Sequence, residues 1–288
     1  MSLTVVIVTF KSDHLIENLI KSIPEKYSVL IIENSLNKVL KKKLELNFKN
    51  VEVYIPKENL GYSGGVNYGV NYAKTKHVFC LVADVIFKKS TFFSIDKICN
   101  TLNDFAIIAP TFNDQSIFKN YIERNVNKSK TLNIDNNKIL EVKEVDGAAF
   151  VVNKDKFKEK VMDDKIFMYF ESTDMCFNTI RNNEKIYAIL NIKFDHMGLQ
   201  SSDIKYSFEI IKNRNWHYCW SKFYYYKKNF NYILAISKIT PNIIKSITTM
   251  AKSFIKKDHV SYEHSKAELS GIMSSLLNKK SYYRPKIY

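Results

Sequence analysis

The sequence predicts an α/β fold with a mixed, mostly parallel sheet flanked by helices in residues 1–205, and a basic helical region in residues 206–288. Over the first 110 residues, apolar runs alternate with helical patterns at short spacing, which is typical of βαβ units. From Ser207 onward the pattern is helical only. The 288 residues are 45% hydrophobic and 25% charged, which is enough to bury a core and excludes a disordered or collagen-like chain.

The strands of the first 110 residues are predicted from apolar, β-branched runs. The run TVVIVTF at 4–10 shows no polar alternation, which indicates a strand buried on both faces. A helix begins near Asp13, where apolar residues recur at helical spacing, and Pro24 ends it. Further strands are predicted at 28–32, 51–55, 77–82 and 106–110, and further helices near 38–43, 63–74 and 90–102.

The pattern changes after residue 112. Residues 113–140 are polar and rich in Asn, and we interpret them as a loop or ribbon at the edge of the sheet. Later strands are predicted at 141–152, interrupted by Gly147, at the aromatic segment 167–170 and at 186–192, with a helix over 173–182. The C-terminal region is predicted to be helical to about residue 257 with a break at Pro241, followed by an amphipathic helix over 262–278.

The net charge of +15 lies mostly in the C-terminal region. Residues 206–288 contain 15 Lys or Arg and four Asp or Glu side chains, a net charge of +11. Such an excess is typical of contact with nucleic acid, of contact with an anionic membrane surface, or of a surface that only maintains solubility. The interleaved aromatic residues Trp216, Trp220 and Phe223–Tyr226 favour the interface of a membrane. Covering the α/β core, or a contact between copies in a homo-oligomer, is the alternative role of this region.

Other features of the sequence predict a cytoplasmic location. The four cysteines are scattered without a C-x-x-C pair, which indicates reduced, buried thiols. The N-terminal apolar run lacks a basic leader and a cleavage site, so we expect no signal peptide. No stretch approaches the roughly 18 apolar residues of a membrane span. We therefore expect peripheral association with the inner face of the cytoplasmic membrane.

A cluster of glycines follows the third predicted strand. Four of the seven glycines fall within nine residues of the segment NLGYSGGVNYGVN, at 61, 64, 65 and 69. Glycine is favoured where the backbone must approach another group closely. The segment therefore suits backbone amides beside a phosphate or sugar, or a tight turn that lets the following helix pack. It is not a phosphate-binding P-loop, because no Gly-Lys-Ser/Thr follows.

Four titratable residues stand at strand ends or at a helix start. Asp84 follows an apolar strand, at the edge where open α/β sheets bind ligands, and a carboxylate there can hold a divalent cation. Glu171 and Asp174 lie three residues apart at a helix start, which suits a general base beside an orienting carboxylate. His196 follows another strand. Helix capping, interaction with the helix dipole or simple packing is the alternative role at each position.

Taken in order, these segments resemble glycosyltransferase family 2, the inverting enzymes of GT-A fold, and within it the rhamnosyltransferase-like branch of bacterial O-antigen and capsule assembly. The order is a strand with Thr-Phe, a strand with Glu-Asn-Ser, the Asn-Leu-Gly segment, a strand with Asp, then Asp-Gly-Ala-Ala, Phe-Glu-x-x-Asp and His-x-Gly. The resemblance covers about residues 3–200. It implies a Rossmann-like GT-A sheet and an inverting transfer from a nucleotide diphospho-sugar, with dTDP-rhamnose favoured, to a glycan or lipid-linked glycan.

The resemblance also implies roles for individual residues. The donor-binding positions are Thr9, Phe10, Glu33, Asn59, Gly61, Gly65, Asn67, Asp84, Asp146 and Gly147. Among them, Thr9 and Phe10 would line the nucleotide base, and Glu33 would contact the base or ribose. Asp84 and His196 would hold the cation, Mn²⁺ or Mg²⁺.

Glu171 and Asp174 would form the catalytic acceptor site, and there the chain departs from the family pattern. Ser172 stands where the usual base candidate is an acid, and serine is not a base at neutral pH. The base is then Glu171 or Asp174, and we favour Glu171. A second departure, Val82-Ala83-Asp84 in place of a pair of carboxylates, implies a weakly bound cation.

Two other functions are compatible with parts of the sequence. A nucleic-acid-binding module is suggested by the net charge, but no reading element with a known motif spacing occurs, so we expect no nucleic-acid partner. A sugar nucleotidyltransferase needs a loop rich in glycine and basic residues directly after the first strand. This chain has Thr-Phe-Lys-Ser at 9–12, without glycine.

Overall fold

The computed structural model describes residues 3–102, 104–114, 119–124, 131–197 and 203–287. The strands in these ranges are β1 (Leu3–Thr9), β2 (Ser28–Glu33), β3 (Val51–Tyr54), β4 (His77–Val82), β5 (Val85–Ile86), β6 (Ile107–Phe112), β7 (Tyr121–Glu123), β8 (Thr131–Ile134), β9 (Asn137–Val145), β10 (Ala149–Asn153) and β11 (Ile186–His196). The α-helices are α1 (Asp13–Ser22), α2 (Lys38–Asn47), α3 (Gly61–Tyr72), α4 (Lys89–Thr101), α5 (Glu171–Arg181), α6 (Ser207–Asn229), α7 (Tyr232–Lys256) and α8 (His259–Leu276).

The chain divides into two compact units. The first comprises Met1–Asp163 and Ser172–Ser201, and the second comprises Asp164–Glu171 and Ser202–Tyr288. The second unit therefore includes a short segment, 164–171, that lies outside the predicted C-terminal region 206–288.

The first unit is built on a mixed sheet flanked by helices, as predicted. The strand order is β3-β2-β1-β4-β10-β6-β11-β9-β7, with β5 paired to β11 and β8 paired to β9. The pairs β3–β2, β2–β1, β1–β4 and β6–β11 are parallel, whereas β10 runs antiparallel to both β4 and β6. Within the described part of 113–140, β8 and the start of β9 form an antiparallel hairpin, and β7 pairs with the end of β9 at the edge of the sheet, where the ribbon was predicted.

Strand β1 shows how the sequence builds the two layers of this unit. All of its residues are buried. Leu3, Val5 and Ile7 belong to a hydrophobic cluster with α1, α2 and α4, whereas Val6 and Val8 belong to a second cluster with α3 and α5. Because successive side chains of a strand point to opposite faces, a continuous apolar run is required where helices cover both faces.

Some predicted boundaries shift. Helix α3 begins at Gly61 instead of Ser63. Strand β11 does not end at 192 but continues to His196, because an irregularity in its pairing with β6 between Ile189 and Lys193 lets it resume. The four cysteines are unpaired and buried, as predicted.

The aromatic segment 167–170 is not a strand. Tyr169 and Phe170 have φ values of 63° and 64°, the left-handed region, which no strand residue adopts. The prediction was wrong because a short aromatic run fits strand propensity equally well, and periodicity cannot test a segment of four residues.

The second unit contains helices α6, α7 and α8. Pro241 lies inside α7 and does not break it; the chain turns instead before Asn231, whose side chain caps α7 by accepting from the Leu234 N–H at 2.8 Å. Trp216, Trp220 and Phe223 of α6 are buried in this unit. Their interpretation as residues of a membrane interface was therefore wrong.

Candidate functional site

Asp84 and His196 are brought together by strand pairing. Asp84 lies between β4 and β5, and β5 pairs antiparallel with the end of β11, so that His196 stands opposite Val85. The Met197 N–H donates to the Asp84 carbonyl at 3.0 Å and fixes the register. The result is a distance of 3.5 Å from His196 Nε2 to Asp84 Oδ1, with the carboxylate of Asp84 buried.

Asp146 adds a second negative charge to this pair. Its Oδ1 accepts from the Ala148 N–H at 2.7 Å. Burial raises the pKa of Asp146, and the charge of Asp84 raises it further, against the lowering effects of the Ala148 N–H and His196. Burial alone would lower the pKa of His196, but its contact with Asp84 and the charge of Asp146 outweigh burial and raise that pKa above the usual histidine value. Asp84, Asp146 and His196 are thus one electrostatically coupled group.

The donor atoms of this group fit a cation only in part. A carboxylate oxygen and an imidazole nitrogen 3.5 Å apart are ligand types that suit Mn²⁺, and a carboxylate suits Mg²⁺. In the described ranges, however, no group of three or more His, Cys, Asp or Glu side chains is placed to hold a metal ion. Asp84 and His196 would therefore supply two ligands to a cation, which would need further oxygen ligands from outside these side chains.

The start of the glycine segment is held by Asn34, a residue that the sequence analysis gave no separate role. Its Nδ2 donates to the Gly61 carbonyl at 3.0 Å, and its Oδ1 accepts from the Leu60 N–H at 3.1 Å. Gly61 has a φ of 70°, and its N–H donates to Asn59 Oδ1 at 2.9 Å. Asn34 follows β2 directly, so the end of one strand fixes the loop that follows the next.

The later residues of the glycine segment serve packing. A Cβ at Gly65 would lie 2.7 Å from Val8 Cγ1, and a Cβ at Gly69 would overlap Val6, so α3 lies against β1 without side chains between them. Asn67 binds the loop after β10: its Oδ1 accepts from the N–H groups of Val161 and Met162, and its Nδ2 donates to the Met162 carbonyl at 2.8 Å. These contacts agree with close packing, the alternative left open by the sequence, and the donor-binding role of Gly65 and Asn67 stays a prediction.

The Glu33 side chain hydrogen-bonds to the turn that directly follows it in the chain. Its buried carboxylate accepts from the Ser35 N–H at 3.1 Å, from the Ser35 hydroxyl, and from the Asn37 N–H at 2.6 Å. The Thr9 hydroxyl donates to the Ile32 carbonyl at 3.5 Å, and the Lys11 N–H donates to Ser35 Oγ at 3.2 Å. The ends of β1 and β2 are thereby tied together, and the contacts of Glu33 shape the loop beside Thr9 and Phe10.

Gly147 lies where three elements meet. Its carbonyl accepts from the Tyr62 hydroxyl of α3. A Cβ at Gly147 would lie 3.3 Å from Ser172 Cβ, so the first turn of α5 passes directly beside it. Tyr62 was not singled out by the sequence, because a tyrosine between glycines carries no signal of its own.

A further carboxylate, Glu144, lies beside the start of α5. Its Oε1 accepts from the Thr173 hydroxyl at 2.6 Å. Burial raises the pKa of Glu144, an effect that outweighs the hydrogen bond from Thr173. No sequence pattern predicts a role for Glu144, because it lies within β9 and not at its end.

The two acceptor-site candidates differ in their surroundings. Asp174 is buried in α5 within the first unit. Glu171 is the last residue of segment 164–171, which the second unit holds in place. The Ser221 hydroxyl of α6 donates to the Met168 carbonyl at 2.9 Å, and the Ser281 hydroxyl donates to the Lys165 carbonyl at 2.7 Å.

Aromatic contacts hold the same segment. The Phe167 ring stacks on His217 of α6 with a centroid distance of 4.4 Å, and the Arg284 guanidinium lies 3.8 Å from the centre of the Phe167 ring. The sequence could not show this, because the contacts join positions far apart in the chain.

Residues 4–160 match the model of glycosyl transferase family 2. The chain belongs to this family. The chain is also similar to the low-salt glycan biosynthesis hexosyltransferase Agl10 of Haloferax volcanii. The two sequences are 22% identical over 219 residues, which cover 69% of this chain and 70% of that protein.

Solved structures share the fold of this family 2 glycosyltransferase. S. aureus TarS 1–349 aligns with a TM-score of 0.52 and 12% identity over 99% of this chain and 93% of its own. The mannosyltransferase PcManGT of Pyrobaculum calidifontis, in complex with GDP-Man and Mn²⁺, aligns with a TM-score of 0.57 and 8% identity over 96% of this chain and 88% of its own. These likenesses confirm the predicted GT-A fold. The rhamnosyltransferase-like branch stays a prediction.

Within this glycosyltransferase, the predicted residues fall into three sets. One coupled group contains Asp84, Asp146 and His196. A second set shapes the loops and packing around the strand ends and consists of Thr9, Phe10, Glu33, Asn59, Gly61, Gly65 and Asn67. The third set lies at α5 and consists of Gly147, Glu171 and Asp174.

Proposed function

We propose that this glycosyltransferase moves a sugar from a nucleotide diphospho-sugar to a glycan or lipid-linked glycan in bacterial surface polysaccharide synthesis, with inversion at the anomeric carbon. The main observation in support of this proposal is the group of Asp84, Asp146 and His196 at one edge of the sheet. Similar solved structures hold GDP-Man and Mn²⁺ or UDP-GlcNAc, which supports a donor of this class. The resemblance to the rhamnosyltransferase-like branch makes dTDP-rhamnose the first donor to test.

Asp84 and His196 are the residues that would hold a divalent cation, Mn²⁺ or Mg²⁺. When bound, such a cation stabilises negative charge on the leaving diphosphate. Because these two side chains leave most of a coordination shell to other oxygens, we expect tight cation binding only when the donor is present. The negative charge of Asp146 acts electrostatically on this pair.

Glu171 is the proposed general base. It would accept the proton of the acceptor hydroxyl as that oxygen attacks the anomeric carbon, a role that contributes about 10²–10⁴-fold to rate in enzymes. Asp174 is buried in α5, which suits an orienting role. A single displacement by the acceptor from the face opposite the leaving group inverts the anomeric centre.

An enzyme with a lipid-linked acceptor would have to act at a membrane surface. Among the described helices, none is long and apolar enough to cross a membrane. The net charge of +11 in residues 206–288 supports peripheral attachment to an anionic surface. We therefore propose that the enzyme acts in the cytoplasm, at the inner face of the cytoplasmic membrane.

A panel of nucleotide sugars tests the proposal. Release of the nucleoside diphosphate and thermal stabilisation of the protein would be measured for each donor, with and without Mn²⁺. We expect one donor, dTDP-rhamnose first, to stabilise the protein and to be hydrolysed slowly in the absence of acceptor. If no nucleotide sugar binds while DNA binds tightly at physiological salt, the proposal is wrong and a nucleic-acid role gains support.

A further inference from the structure

Helix α7 exposes a stripe of large apolar side chains. Ile233, Phe254 and Ile255 are 81%, 75% and 80% exposed, and Ile244 and Ile247 are exposed as well. Residues 233, 244 and 255 are eleven apart, which is about three turns of helix, so they lie along one line. Isolated exposed apolar residues are ordinary, but several aligned on one face of a 25-residue helix are typical of a binding surface, even with two exposed polar residues on that face between Ile233 and Ile244.

The opposite side of α7 packs within the second unit. Its buried residues are Ala235, Ile239, Ser246 and Ser253. Ala235 and Ile239 belong to one hydrophobic cluster with Cys219 and Phe223 of α6 and with Ile272 of α8. The exposed stripe is therefore a second apolar face, separate from the one that the fold uses.

A row of lysines runs along one side of the stripe. Lys238, Lys245 and Lys252 follow one another at intervals of seven residues, and Lys256 continues the row one turn further. All four are exposed, and α7 contains no Asp or Glu. An apolar stripe beside a row of lysines, on a helix without acidic residues, is the pattern of a helix that lies in a membrane interface, with its apolar side among acyl chains and its lysines at phosphate groups.

We propose that this face of α7 docks on the surface of a membrane that contains anionic phospholipid. Charge complementarity favours a phospholipid surface over a second copy of the chain as the binding partner of this face. An antiparallel two-fold contact between copies through α7 would place the two lysine rows on the same side, without an acidic side chain on the helix to compensate them. A phospholipid surface supplies both the apolar layer and the negative charge. The inference deepens the peripheral attachment proposed above and does not depend on the transfer reaction.

The test is sedimentation of the full chain with vesicles of phosphatidylcholine, with and without phosphatidylglycerol. We expect the wild type to pellet only with the anionic vesicles, and less so at high salt. Ile233→Ser with Ile255→Ser should abolish pelleting. Lys245→Gln with Lys252→Gln should weaken it roughly 30-fold, since each lysine near an anionic surface contributes about fivefold.

Helix α2 of the first unit offers matched controls. Val39 and Leu46 are 79% and 81% exposed, like the two isoleucines, and Lys42 and Lys49 are exposed lysines in or just after that helix. The variant pairs Val39→Ser with Leu46→Ser, and Lys42→Gln with Lys49→Gln, should sediment like the wild type. Thermal unfolding of every variant would verify that it is folded.

Three outcomes would overturn the proposal. The first is that the wild type does not bind anionic vesicles at low salt. The second is that the α2 variant pairs weaken binding as much as the α7 variant pairs do. The third is that light scattering shows an oligomer that only the α7 variant pairs dissociate. Donor hydrolysis would be measured on the same samples, and the α7 variants should retain it. Vesicle binding without hydrolysis of any nucleotide sugar would instead leave this proposal standing and reject the proposed function.

Discussion

In the first unit, the candidate site is positioned by backbone pairing, whereas in the second unit the segment that ends at Glu171 is positioned by side chains. Asp84 and His196 meet because β5 pairs with β11. Segment 164–171 has no strand ladder and is held by two serine hydroxyls, a stacked histidine and an arginine. The backbone hydrogen bonds of a strand pair involve many residues, so that the loss of one side chain changes the strand positions little. Single substitutions around segment 164–171 should therefore have larger effects on catalysis than comparable substitutions in the sheet.

The largest effect is expected at Glu171. Glu171→Gln preserves size but cannot accept the proton, so kcat should fall about 10²-fold or more while donor affinity changes little. The measurement is steady-state transfer with separate titration of the donor. Glu159→Gln, at an exposed position, is the matched control. Greater damage from Asp174→Asn, in a folded protein, would transfer the base role to Asp174.

Two glycines test whether the units are packed independently. A Cβ at Gly69 would overlap Val6 in the first unit, and a Cβ at Gly271 would overlap the backbone carbonyl of Trp216 in the second. Each change to Ala should cost about 1–3 kcal/mol or more, with Gly271→Ala the worse because a backbone must move. Both tryptophans lie in α6. Tryptophan fluorescence should therefore shift to lower denaturant for Gly271→Ala. An equal shift for Gly69→Ala would show that the units unfold together.

Acid should destabilise the second unit. Burial lowers the pKa of His217 to about 3, and the charge of Arg284 acts in the same direction, against the hydrogen bond to the Tyr283 carbonyl. The unfolded chain therefore binds one more proton between that pKa and about 6.5. The stabilisation is complete above pH 6.5 and is lost as the pH falls, by up to about 1.4 kcal/mol for each pH unit. Urea unfolding followed by tryptophan fluorescence at several pH values measures it, and His217→Gln should flatten the profile. A profile that His217→Gln leaves unchanged would contradict this cause.

The smallest effect is expected at Ser221. Ser221→Ala removes the hydrogen bond to the Met168 carbonyl. A hydrogen bond of this kind contributes about 0.5–1.5 kcal/mol, so kcat should fall up to about tenfold with the donor KM unchanged. Thr111→Val, which removes the hydroxyl bond from β6 to the Ile189 carbonyl of β11, is the comparison in the sheet and should change kcat less. The reverse order would refute the contrast between the units.

Much of the first unit could be predicted from the sequence because its elements follow local patterns. Apolar runs mark the strands, and polar side chains at strand ends mark Asp84 and His196. The partners Asn34, Tyr62 and Glu144 could not be predicted, since each acts through a contact that no local pattern records.

Predictions from amino-acid composition were least accurate for the second unit. Aromatic and basic residues mixed along α6 suggested a membrane surface, yet Trp216 and Trp220 are buried. The exposed apolar stripe lies on α7, where the sequence shows isoleucines and one phenylalanine at helical spacing. Such spacing does not distinguish a face that packs inside the fold from one that is exposed, because that depends on which other helices surround it.

The turnover of Asp84→Asn tests the central claim most directly. Asp195 is the matched control: it lies next to His196, is exposed, and accepts from Asn113 Nδ2 at 2.8 Å. With an active donor and saturating Mn²⁺, Asp84→Asn should lower kcat by at least about 10²-fold while the melting temperature remains close to that of the wild type. Asp195→Asn should turn over at nearly the wild-type rate. Wild-type turnover in a folded Asp84→Asn variant would contradict the placement of the donor's diphosphate at this edge of the sheet.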